Sequence, residues 1–241
     1  MKFVLAVALA LSSFVSLASP LPDFPFVAVT GQSSKQVAPD SVTVTFSITT
    51  FHQTAEVANA QLSQASTKVL AVLKANGVSD EQVTAYELEK SEKRKRDDNY
   101  NELEILGYDL NRRFEVRLSS LKQYPTLLAQ LYAAEYVHNL NSVFDTSERD
   151  VVETALISAA AAQARKKAEQ MAEGLGVKIH SVFAFNDSGS FSSFFATFGV
   201  SDSTLVNAEM SASRTGAAQQ VLVPQFIEIS KTVNVIYKIT P

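Results

Sequence analysis

Strict alternation marks the stretch from Ser41 to Phe51. Val42, Val44, Phe46 and Ile48 fall on one side, and Thr43, Thr45, Ser47 and Thr49 on the other. Period two with β-branched residues predicts a half-buried strand whose second face carries hydroxyls. A short strand, Phe26 to Gly31, precedes it, with Pro39-Asp40 as the turn between them. The period then changes. Ala58, Leu62, Ala65, Val69, Val72 and Leu73 form one stripe at helical spacing. They predict a helix from Ala55 to Ala75, with Thr54 at its start and Asn76-Gly77 as a left-handed stop. Ser79-Asp80 turns the chain into a strand from Gln82 to Ser91.

The next strand, Gly107 to Leu118, sets Tyr108, Leu110, Phe114, Val116 and Leu118 against Asp109, Asn111, Arg113, Glu115 and Arg117. With the preceding strand it predicts an antiparallel hairpin. Its tip carries the cluster Lys90 to Asp98, in which five bases precede two acids. A short helix, Leu121 to Ala134, and a strand, Tyr136 to Phe144, follow. Ser147 to Asp150 resembles a capping box and opens a long helix to Glu173. Eight alanines between Ala155 and Ala172 give that helix high propensity and a shallow face that another element can approach closely. Gly174 and Gly176 stop it. A strand from Val177 to Phe185, an irregular Phe-rich loop over 187–216, and apolar alternation from Gln219 to Ile239 complete the chain. The last stretch predicts two strands, or one bent by a bulge. The order β-β-α-β-β-α-β-α-β-β is α+β, an antiparallel or mixed sheet covered by helices.

The first residues carry a different pattern. Lys2 precedes an apolar run from Phe3 to Val15, and Ser16-Leu17-Ala18 supplies small residues at a cleavage site. This predicts a signal peptide over 1–18, a linker over 19–25 and a folded domain over 26–241. A membrane anchor needs roughly 20 apolar residues, and here the run ends at Pro20 and Pro22. The expected location is the periplasm or cell envelope.

Composition narrows the chemistry. The 241 residues are 46% hydrophobic, with 21 Lys+Arg against 25 Asp+Glu, and the net charge of −4 argues against a nucleic-acid partner. Cysteine is absent, which excludes disulfides, thiol redox chemistry, thiolate metal ligands and a lipidated N-terminal cysteine. No Gly-x-Ser-x-Gly elbow, phosphate loop or dinucleotide glycine fingerprint occurs. No catalytic residue and no cofactor is expected, and the sequence identifies no small-molecule ligand. His52, His138 and His180 lie in separate segments. They are either a metal site assembled in three dimensions or three unrelated histidines.

Two groups are candidate interaction residues. Lys93, Arg94, Lys95 and Arg96 are either a solvated hairpin tip or a contact for anionic headgroups, a peripheral membrane partner. Phe191, Phe194, Phe195 and Phe198 have near-helical spacing. They either fold onto the protein's own core or meet a partner subunit or bilayer surface.

Several motifs in this order resemble one family. They are Val27-Ala28-Val29-Thr30-Gly31, Pro39-Asp40, Ala55 and Asn59, Asn76-Gly77-Val78 with Asp80 and Val83-Thr84, and Gly107-Tyr108. The most specific block is Ala155, Ala159, Ala164-Arg165-Lys166-Lys167-Ala168 and Met171-Ala172, closing on Leu175-Gly176-Val177, before Val233 to Tyr237. The chain is similar to the SIMPL domain (DUF541) family from Phe26 to Ile239, departing at Pro224-Gln225, where many members have Pro-Gly. The resemblance implies exported proteins of the bacterial envelope, among them an immunodominant periplasmic or outer-membrane antigen. Some members are linked to oxidative-stress defence and one forms a ring-like oligomer. It supplies no catalytic residues. The expectation is a non-enzymatic envelope protein that self-associates as a homo-oligomer through strand and loop surfaces and supports stress tolerance indirectly. The alternative is a periplasmic binding module or chaperone-like holdase using the Phe-rich loop.

Overall fold

The computed structural model describes residues 24–96, 98, 101–187 and 223–241. Its elements are β1 (Phe26–Val37), β2 (Ser41–His52), α1 (Ala55–Ala75), a 3-10 turn (Asp80–Gln82), β3 (Val83–Arg96), β4 (Glu102–Leu118), α2 (Tyr124–Ala133), β5 (Val137–Asp145), α3 (Arg149–Gly174), β6 (Lys178–Asn186) and β7 (Ile227–Thr240). The α+β class and the order of strands and helices agree with the sequence reading. The strands divide over two sheets, in the orders β1-β7-β6 and β3-β4-β2-β5. The described residues form two compact units.

One unit, residues 35–96, 98, 101–153 and 223–229, holds the four-stranded sheet. β4 pairs antiparallel with β2 and β3, and β2 with β5. The alternating residues of β2 do what their pattern requires: Val42, Val44, Phe46 and Ile48 are buried beside Leu110, Phe114, Val116 and Leu118 of β4. Phe46 and Phe114 face each other across the ladder and stack at 5.3 Å. The α1 stripe and Leu127, Leu128 and Leu131 of α2 complete this core. α1 exits through a Schellman turn. The Gly77 N–H donates to the Lys74 carbonyl (3.0 Å) and the Val78 N–H to that of Leu73 (3.1 Å), with Gly77 at φ 78. α2 begins at Tyr124, three residues later than its apolar pattern suggests, because Pro125 suits the first turn of a helix and not its interior.

The other unit, residues 24–34, 154–187 and 230–241, contains the three-stranded sheet. Ala160, Ala164 and Ala168 of α3 are fully buried at four-residue spacing against Val29, Val233, Val235 and Tyr237. The shallow alanine face admits backbone. A Cβ placed on Gly31 would lie 2.0 Å from the Ala160 carbonyl oxygen and 2.7 Å from the Ala164 nitrogen. Gly31 is therefore a point of close approach inside β1 and not its end. The Gln32 N–H donates to the Gln163 side chain (2.6 Å), and β1 runs on to Val37. α3 repeats the exit of α1, with Gly176 at φ 69 and the Val177 N–H donating to the Ala172 carbonyl (2.9 Å).

Of the final stretch expected to be strand, residues 219–222 lie outside the described residues and 223–226 are not strand. β7 starts at Ile227, and the extra residues of the β6–β7 ladder, His180 and Phe183, lie on β6.

Candidate functional site

The bases Lys93, Arg94, Lys95 and Arg96 lie within β3 and not at a turn, since β3 and β4 run beyond their apolar segments. Acidic residues on β4 and β3 meet them. The Arg94 guanidinium donates to Glu92 Oε2 (2.6 Å) and to the Leu103 carbonyl (3.4 Å), and it lies 3.9 Å from Glu102. Lys95 reaches Glu104 (3.6 Å) and Arg96 reaches Glu102 (3.5 Å). Lys93 takes another route, its ammonium 5.0 Å from the centre of the Phe51 ring. Gly107, opposite Lys93, makes room for that ring, since a Cβ there would lie 2.6 Å from it. The cluster is thus an ionic ladder with little surplus charge, and exposed pairs of this kind contribute little stability.

The same hairpin carries apolar side chains in the open. Tyr86, Leu88, Leu103, Ile105 and Leu106 are 37 to 45% exposed. Nearer the body, one face of the sheet is a polar network. Tyr86 donates to Glu115 (3.0 Å) and lies under the Arg113 guanidinium (4.0 Å), while Asn111 accepts from Thr49 (3.0 Å) and donates to Glu89 (3.3 Å). The Arg117 guanidinium and the Tyr86 hydroxyl hold the Glu115 carboxyl below its ordinary value.

A groove of about 480 Å³ lies beside α1 and the end of α2, lined by Gln61, Gln64, Lys68, Val69, Gln130, Glu135 and Tyr136, among others. Tyr136 adopts φ 68, and Glu135 raises its phenol pKa by accepting from it. Gln61 Oε1 and Arg112 Nε are buried without a hydrogen-bond partner. Arg112 shares the parity of Leu110 and Phe114, the core side of β4. The signal for it was the single charged residue interrupting that apolar alternation.

The histidines are not brought together. His52 Nδ1 accepts from the Thr54 N–H (3.1 Å) and orders the entrance to α1; His138 pairs with Ser47; His180 Nδ1 is 3.0 Å from Ser181 Oγ. No cluster of three or more His, Asp or Glu side chains suited to a metal ion occurs among the described residues. None of the described helices is long and apolar enough to cross a membrane. Phe191, Phe194, Phe195 and Phe198 lie outside the described residues.

The chain is 26% identical over 235 residues to an uncharacterized protein, YggE, of Edwardsiella ictaluri (strain 93-146), covering 92% of this chain and 90% of that protein. A family profile described as SIMPL, protein of unknown function (DUF541), matches residues 27–237, and the chain belongs to that family.

Proposed function

We propose that this is an exported protein of the bacterial envelope that acts by self-association and not by making or breaking bonds. The observation that carries the reading is the β3–β4 hairpin, which holds five large apolar side chains in the open among an ordered set of charges. Apolar surface of this kind gains by burial against a partner at roughly 25 cal/mol per Å², and the ion ladder supplies direction. Export rests on the N-terminal pattern of residues 1–18. A contribution to oxidative-stress tolerance is indirect in this reading, because the chain has no cysteine and three methionines to offer an oxidant.

Light scattering on the chain lacking residues 1–18, across a micromolar concentration series, tests it. A mass at least twice that of one chain is expected; a single-chain mass throughout retires the reading.

A further inference from the structure

We propose that β3 is the self-association edge, and that two copies pair antiparallel through it about a twofold axis at Ser91. This rests on the self-association proposed above and names its surface.

β3 ends the sheet order β3-β4-β2-β5, so one of its edges has no strand partner among the described residues. That edge is regular where it matters. Leu88 to Lys93 pair residue for residue with Arg112 to Gly107. Beyond Lys93 the ladder shifts twice, each time because β4 carries an extra residue, first Leu106 and then one between Glu102 and Ile105. The one extra residue on β3 itself falls at Tyr86-Glu87. The β3 backbone is therefore an unbroken strand from Leu88 to Arg96.

Its charges are ordered along that edge as Glu89, Lys90, Ser91, Glu92 and Lys93. With Ser91 opposite Ser91 of a second copy, Lys90 faces Glu92 and Glu89 faces Lys93, each twice by symmetry. Leu88 lies against the aliphatic stem of Arg94. The neighbouring registers are worse. Moving the pairing by one residue sets Glu89 against Glu92 in one direction or Lys90 against Lys93 in the other. Moving it by two sets Lys90 against itself or against Arg94. Like charges directly opposite in an antiparallel pair are destabilising, so the sequence of signs admits the Ser91 register and rejects its neighbours. Charged edge strands normally resist pairing; here the same charges make one partner acceptable, a second copy of this chain in one alignment. The Ser91 register also joins the two sheets with their helix-covered faces on the same side, because facing residues keep the same parity.

Charge reversal tests the register. Lys93→Glu and Glu89→Lys each create two like-charge pairs per dimer, and each is expected to raise the dissociation constant about tenfold or more. The double variant Glu89→Lys/Lys93→Glu restores opposite charges and is expected to recover association. Thiol trapping gives an independent measurement, since the natural chain has no cysteine. Under mild oxidation Ser91→Cys is expected to form a covalent dimer with itself. Glu89→Cys and Lys93→Cys are expected to cross-link with each other when mixed, and not alone. Single reversals that leave the mass unchanged, or a Ser91→Cys protein that stays monomeric on oxidation while the unmodified chain assembles, overturn this edge and leave self-association standing. An unmodified chain that never assembles removes both.

Discussion

Gly31 and Ala160 meet backbone to backbone, with no space between them for a methyl group. Gly31→Ala forces β1 away from α3 and is expected to lower stability by about 1–3 kcal/mol. Gly174→Ala is the control, because nothing lies within 4 Å of a Cβ at that position. Urea unfolding of both variants checks the contrast; equal midpoints would show that the close approach is not a constraint.

The two Schellman exits make a second pair. Gly77 and Gly176 both hold positive φ with open space around them, so alanine there meets backbone strain alone. Each substitution should cost about 1–2 kcal/mol. Thermal melts that show no loss for either would contradict the left-handed geometry.

Asp40 accepts from the Ser147 hydroxyl (2.5 Å) and N–H (2.9 Å), joining the turn before β2 to the entrance of α3. These bonds hold its carboxyl below the ordinary 3.8. A depressed folded-state value gives stability that is fully present above the unfolded pKa and disappears as pH falls through the folded one. The advantage of the parent over Asp40→Asn should stay flat from pH 7 to pH 5 and shrink below about pH 4. An advantage that grows on acidification has the wrong sign for this account.

Gln61 Oε1 is a buried acceptor without a partner. Gln61→Met keeps the size of the side chain and removes the orphan group, so it should raise stability by about 1 kcal/mol. A destabilised variant would mean that the amide oxygen is satisfied in solution.

The ionic ladder predicts weak attraction to lipid. Replacing Lys93, Arg94, Lys95 and Arg96 with glutamine should leave co-sedimentation with anionic vesicles unchanged, because Glu92, Glu102 and Glu104 already meet three of these bases. Binding that falls in the variant would restore the membrane reading.

Much of this architecture was legible in the sequence because burial imposes period. β2 and α1 each have one face against the same core, and their bounds followed from alternation and stripe. Where burial stops, the signal stops. The outer parts of β3 and β4 are exposed on both faces, so the chain from Lys93 to Arg96 reads as a loop although it is a strand. Gly31 reads as punctuation because a glycine needed for contact and one needed for a turn are identical in the sequence. The bases were visible as candidates; Glu92 stands beside Arg94 on the same strand, but Glu102 and Glu104 come from across the hairpin, and only the register shows that they meet the bases.

β1 and β7 share a sheet, although almost the whole chain separates them. The unit containing β2 to β5 can complete its core from a continuous stretch, while its companion waits for the last strand to be delivered. Closing so long a connection is slow compared with local pairing. A chain made from its first residue would therefore hold the core of β2 to β5 while the buried alanines of α3 still await β7.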